Sequence, residues 1–76
     1  MLINNKKYVQ ARENICRQLR ETVLDNKISV DEIALKTGLV KSNVNRVLNG
    51  MYAPKLDHVI AIADVIGFKL TIQEVP

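Results

Sequence analysis

Residues 29–50 contain the pattern that most constrains how this 76-residue chain can fold. Ala34 is small enough for a second helix to cross the first closely, and Gly38 can adopt the positive φ that a tight turn requires. Val44 and Val47 are spaced to anchor the second helix from beneath. The sequence therefore predicts two short helices joined by a tight turn.

The outward face of the second helix is polar and carries no acidic residue. Its side chains are those of Lys41, Ser42, Asn43, Asn45 and Arg46. Lysine and arginine bind phosphates and guanine, and asparagine binds adenine. This face is therefore typical of a surface that contacts a nucleic acid.

The composition favours one small domain without reactive chemistry. With 47% hydrophobic residues the chain can form a single small core, and self-association would support it. One cysteine and one histidine form no metal-binding cluster, and the longest apolar run, residues 59–63, is too short to cross a membrane. We expect one domain over residues 1–76 that is cytoplasmic and non-enzymatic, with no cofactor, metal or membrane contact.

The positive charge is segregated along the chain. The net charge is only +3, but residues 6–20 and 33–56 each carry +4, whereas residues 21–32 and 57–76 carry −3 and −2. Such segregation favours a polyanionic partner.

Apolar residues at helical spacing predict four helices within residues 8–67, after an N-terminal arm at residues 1–7. The expected bounds are about 8–25, 30–37, 40 or 41–48, and 56–66. Ser29 and Glu32 form a capping box that begins the second helix. The core-facing residues expected on the first and fourth helices are Tyr8, Ala11, Ile15, Leu19, Val23, Leu56, Val59, Ile60, Ala63 and Ile66, with Cys16 at the margin.

The C-terminal residues 68–76 change to an alternating pattern. Phe68, Leu70 and Ile72 alternate with polar residues, which predicts a half-buried strand. A strand needs a partner, either residues 2–4 of the same chain or the same strand of a second chain. We favour antiparallel pairing between two chains, because a two-fold dimer matches palindromic DNA.

These features resemble the phage-repressor-like (Cro/cI, also called XRE) helix-turn-helix family over roughly residues 15–68. The matching marks are Glu32-Ile33-Ala34, Gly38-Leu39, Ser42, Val44, Arg46, Asn49-Gly50, Pro54, Leu56 and residues 59–63. The resemblance implies an all-α, compact four- to five-helix lambda-repressor-like domain. Its helix-turn-helix core would lie at residues 30–48 and bind double-stranded DNA.

Three positions depart from the family pattern. Val30 replaces the usual glutamine that holds a phosphate, and Val40 replaces the usual serine or threonine cap, which forgoes about 1 kcal/mol. Ser42 could cap the third helix instead and shorten it. Leu48 replaces an acidic residue and could be either exposed or packed.

Carried over position by position, the resemblance implies roles for individual residues. The base-reading residues would be Lys41, Ser42, Asn45 and Arg46. The phosphate-binding residues would be Asn43, Asn49, Gly50 and Lys55, with Arg17 and Lys36 as weaker candidates. Tyr52 could donate to a phosphate or pack on Pro54. We interpret His58 as a solvated or capping residue and Cys16 as a core residue.

The sequence is best interpreted as a double-stranded DNA-binding transcriptional regulator, a homodimeric repressor that occupies its operator. Two alternatives stay open. An antitoxin of the same fold would also repress its own promoter, and the predicted C-terminal strand could dock a toxin. A protein-interaction module without DNA affinity is compatible with Val30 and Val40.

Overall fold

In the computed structural model, residues 5–50 and 53–75 are described, and within these ranges the chain forms four α-helices. The helices are α1 at Lys6–Asp25, α2 at Val30–Thr37, α3 at Lys41–Asn49 and α4 at Leu56–Val65. The predicted all-α helix-turn-helix architecture is confirmed. Tyr52 and residues 2–4, for which the sequence suggested contacts, lie outside the described ranges. None of the helices in these ranges is both long and apolar enough to span a bilayer.

The tight turn between α2 and α3 is held by two neighbouring residues. Gly38 adopts the left-handed conformation with φ +79°, and its N–H donates to the Ala34 carbonyl at 2.9 Å. The Thr37 hydroxyl donates to the Ile33 carbonyl at 2.7 Å and accepts the Leu39 N–H at 3.2 Å. These bonds end α2 and direct the chain into α3.

The two helices of the motif begin differently. At α2 the Ser29 side chain accepts the Glu32 N–H at 3.0 Å, as the capping-box pattern predicts. At α3 the N-cap is Val40, which has no side-chain hydrogen bond to offer. The alternative in which Ser42 caps a shortened helix is wrong, because α3 already begins at Lys41.

All four helices contribute to one hydrophobic core. Its buried residues are Cys16, Leu19, Val23, Ile33, Val44, Val47, Leu48, Val59, Ile62 and Ala63. Ile33, Val44 and Ile62 are 0% exposed, so the core is most deeply buried where α2, α3 and α4 meet. Because α3 also contacts α1, it is enclosed on its inner side by the three other helices.

The buried faces of α1 and α4 differ from those predicted. Cys16 lies in the centre of the core at 1% exposure, and Ile62 is fully buried. Both helices carry apolar residues on more than one stripe, and packing against the other helices determines which stripe is buried. Five residues predicted to face the core are exposed instead: Tyr8, Ala11, Ile15, Leu56 and Ile60.

The predicted C-terminal strand is wrong, because residues 68–75 form no strand in the described chain. A strand requires a neighbouring backbone to pair with, and no described segment supplies one. Phe68 and Leu70 instead lie over α1 and α4, while Ile72 is 99% exposed. The Phe68 and Leu70 part of the alternating pattern therefore reflects packing of single side chains on helices.

Gly38 provides a test of the turn. A Cβ added at Gly38 would meet no heavy atom within 4 Å, so a substitution there costs backbone strain alone. We expect Gly38→Ala to lower the free energy of unfolding by about 1–2 kcal/mol in urea titrations. Gly38→Asn should lower it less, because asparagine tolerates the left-handed region. Equal losses for the two variants would contradict this account.

Candidate nucleic-acid interface

The α3 helix separates an apolar inner face from a polar outer face. Val44, Val47 and Leu48 are buried, which settles that Leu48 is packed rather than exposed. The outer residues Lys41, Ser42, Asn45, Arg46 and Asn49 are exposed, and Asn43 is half-buried. Residues assigned to base reading therefore share the outward side of α3.

A polar cleft of about 250 Å³ lies between α1 and the C-terminal end of α3. It is lined by Arg17, Asn49 and Gly50, three residues that the sequence assigned to phosphates. Arg20 also lines it and was missed in the sequence analysis. The signal was present, because residues three apart on a helix share a face. The Glu13 carboxylate lies at the same cleft and moderates its positive charge.

A second cleft of about 250 Å³ lies between the outer side of α3 and the start of α4. It brings together Asn43, Arg46 and Lys55, of which the sequence assigned Arg46 to bases and the others to phosphates. His58 lines the same cleft and is half-buried, so it is not simply a solvated residue. Its position one turn after Lys55 could have indicated this.

Several candidate residues form ion pairs with acidic residues. Lys36 Nζ lies 3.1 Å from Glu32 Oε2, and Arg17 Nε lies 3.9 Å from Glu21 Oε1, both pairs within one helix. Lys41 pairs with Asp31, which joins the start of α3 to the start of α2. All of these side chains are about half or more exposed, so each pair contributes little to stability.

Two positions on α2 do not reach either cleft. Lys36 is directed along α2 toward Glu32 and lines neither cleft. Val30, where the family usually has glutamine, is half-buried and packs against the core. The basic residues at the clefts are therefore contributed by α1, by α3 and by the N-cap of α4.

Cys16 is unsuited to nucleophilic chemistry. Burial raises the pKa of its thiol, and the Glu13 carboxylate adds to this, while the Arg12 charge acts in the opposite direction. A buried thiol with a raised pKa stays protonated and inert at neutral pH. In the described ranges no group of three or more His, Cys, Asp or Glu side chains could hold a metal ion.

Comparison with known proteins identifies the family. A family model described as helix-turn-helix matches residues 17–73. This range includes α2, α3, α4 and the basic residues that line both clefts. Neither a curated protein nor a solved structure matches the chain significantly. Because the match covers well over half of the sequence, the chain belongs to the XRE-type (Cro/cI-like) helix-turn-helix family of DNA-binding transcriptional regulators.

Proposed function

We propose that this protein is a sequence-specific, homodimeric repressor that acts by occupying its operator in the cytoplasm. The observation that carries the proposal is the outer face of α3, which is polar, free of acidic residues and flanked by a basic cleft on each side. Phosphates of the two DNA strands fit such clefts, while a helix between them enters the major groove. The protein represses by occupying its operator, and this mechanism requires no catalysed reaction.

Within this proposal the residues of α3 divide by position. Lys41, Ser42 and Asn45 face base edges from the exposed side of the helix. Arg46 lies at the border of the second cleft with Lys55, so it can address guanine O6 and N7 from the edge of the groove. A good pair of hydrogen bonds to one base contributes about 1–3 kcal/mol of discrimination.

The remaining polar groups supply phosphate contacts that do not depend on sequence. One cleft offers Arg17 and Arg20 from α1 with Asn49 and the Gly50 backbone. The other offers Asn43, Lys55 and His58. Such contacts fix the register of the protein on the duplex and make its affinity fall steeply with salt.

Support for a homodimer comes from an apolar surface that contains no residue of α3. A cleft of about 290 Å³ is lined by Ile15 of α1, Leu56 of α4 and Leu70, among others. Arg12 Nε at this cleft is buried and makes no hydrogen bond within the described residues, so an acceptor from a second chain would satisfy it. In a two-fold dimer formed through this cleft, both α3 helices would remain exposed. They could then enter the major groove at two half-sites about 34 Å apart.

Selection from a random duplex pool tests the function directly. We expect the purified protein at moderate salt to enrich an inverted repeat whose halves are one helical turn apart. A single enriched half-site would support sequence-specific binding and contradict the dimer. No enrichment by folded protein would contradict the proposal and favour an interaction module or an antitoxin that requires its toxin.

Two substitutions in the second cleft separate base reading from phosphate binding. We expect Arg46→Ala to lose preference at one base pair of each half-site. Lys55→Ala should weaken operator and scrambled duplexes alike and reduce the slope of log affinity against log salt by about one. Binding titrations at several salt concentrations measure both effects. Equal losses on both duplexes for Arg46→Ala would assign Arg46 to a phosphate.

The dimer surface can be tested by placing a charge on it. Ile15 is 43% exposed on α1 and lines the apolar cleft. We expect Ile15→Glu to give monomers in sedimentation experiments, and a duplex with two half-sites should then bind no more tightly than a duplex with one. Leu35→Glu is the matched control, because Leu35 is 84% exposed on α2 and lines no part of the apolar cleft. Monomers from the control, or dimers from Ile15→Glu, would contradict the assignment of the apolar cleft to the dimer interface.

A further inference from the structure

The ion pair between Asp31 and Lys41 crosses the angle of the helix-turn-helix motif. Asp31 is the second residue of α2, and Lys41 is the first residue of α3. The Arg17–Glu21 and Lys36–Glu32 pairs each lie within one helix, so they do not constrain how two helices present their side chains. The Asp31 carboxylate, in contrast, lies on α2 and pairs with a lysine that begins the outer face of α3.

This pair is not required for the fold. The side chains of Lys41 and Asp31 are 65% and 70% exposed, and ion pairs at such exposure contribute little to stability. An acidic side chain beside a surface that binds phosphates also lowers affinity for every duplex. A feature that adds little stability and opposes general DNA binding needs another explanation.

The chemistry of the lysine ammonium suggests what the pair does. An ammonium group has three N–H donors, so Lys41 can keep one bond to Asp31 and direct the others at a base edge. A lysine held by Asp31 loses less side-chain freedom when it meets the O6 and N7 atoms of a guanine. On a duplex without that guanine, the Asp31 carboxylate competes with nearby phosphates for the same ammonium group.

We propose that Asp31 is a specificity-determining residue that positions Lys41 for base contact and withholds it from phosphates. The inference rests on the proposed function, because it requires an operator that the protein prefers. Asp31 acts through Lys41 and does not itself contact DNA. Its presence weakens binding to unrelated sequences and sharpens the choice of operator.

Affinities for the selected operator and for a scrambled duplex test this proposal. We expect Asp31→Asn to bind the scrambled duplex several-fold more tightly and to lower the operator-to-scrambled affinity ratio about two- to fivefold. The freed lysine should also steepen the salt dependence on scrambled duplex by about one in the log–log slope. In a Lys41→Met background, Asp31→Asn should change neither the ratio nor the slope.

Glu32→Gln is the matched control for the charge change. Glu32 is the next residue, lies in the same first turn of α2 and pairs with Lys36 within that helix. Its neutralisation should raise affinity for both duplexes equally and leave the ratio unchanged. Thermal unfolding of both variants by circular dichroism checks that α2 remains folded, because both substitutions remove one acid from its N-terminus.

The outcomes separate this inference from the proposed function. A wild-type ratio near one would overturn both, because there would be no operator to choose. The wild-type protein could instead show a high operator-to-scrambled affinity ratio that Asp31→Asn leaves unchanged, just as Glu32→Gln does. That result would overturn the role of Asp31 alone. An equal fall of the ratio in the Lys41→Met background would also overturn it, since the effect would then not pass through Lys41.

Discussion

The packing of Val44 and Val47 against Ile33 is the constraint on which the rest of the structure depends. A helix as short as α3 is not stable by itself in water, so it persists because its inner face is buried in the core. The same burial fixes which residues point outward. Rotation of α3 by one residue would bury Asn45 without a hydrogen-bonding partner, and that penalty holds the polar face in place. The contacts that stabilise the core therefore also determine the orientation of the candidate DNA-reading face.

The parts of the fold that local chemistry determines could be predicted from the sequence. Ser29 caps α2 and Gly38 takes the left-handed conformation after it, as the residue types at these positions indicate. The buried stripes of α1 and α4 were less predictable, because apolar residues such as Ile15 and Leu56 fit a helical spacing equally well on a face that remains exposed. The strand predicted near Leu70 failed for a related reason, since alternation describes a side-chain pattern and does not supply a backbone partner.

The candidate site was predictable to the level of one helix. The spacing of apolar residues placed the polar residues on the outer side of α3, but the roles toward DNA that the family resemblance implies remain predictions. Local sequence patterns did not indicate which parts of the other helices meet α3. Arg20 reaches the end of α3 and His58 reaches its outer side only because the helices cross as they do. The Asp31–Lys41 pair likewise depends on the crossing of α2 and α3, which local sequence patterns do not specify.

The two helices of the motif divide stability and binding between them. The start of α2 has a serine cap and two acids, Asp31 and Glu32, all of which favour a helix N-terminus. The start of α3 has the opposite character, because Val40 provides no cap and Lys41 places a positive charge at the positive end of the helix dipole. This arrangement lowers the stability of α3 but concentrates positive potential where the helix would meet DNA. Asp31 then offsets part of that potential from the neighbouring helix, so the motif retains attraction for phosphates without leaving Lys41 unrestrained.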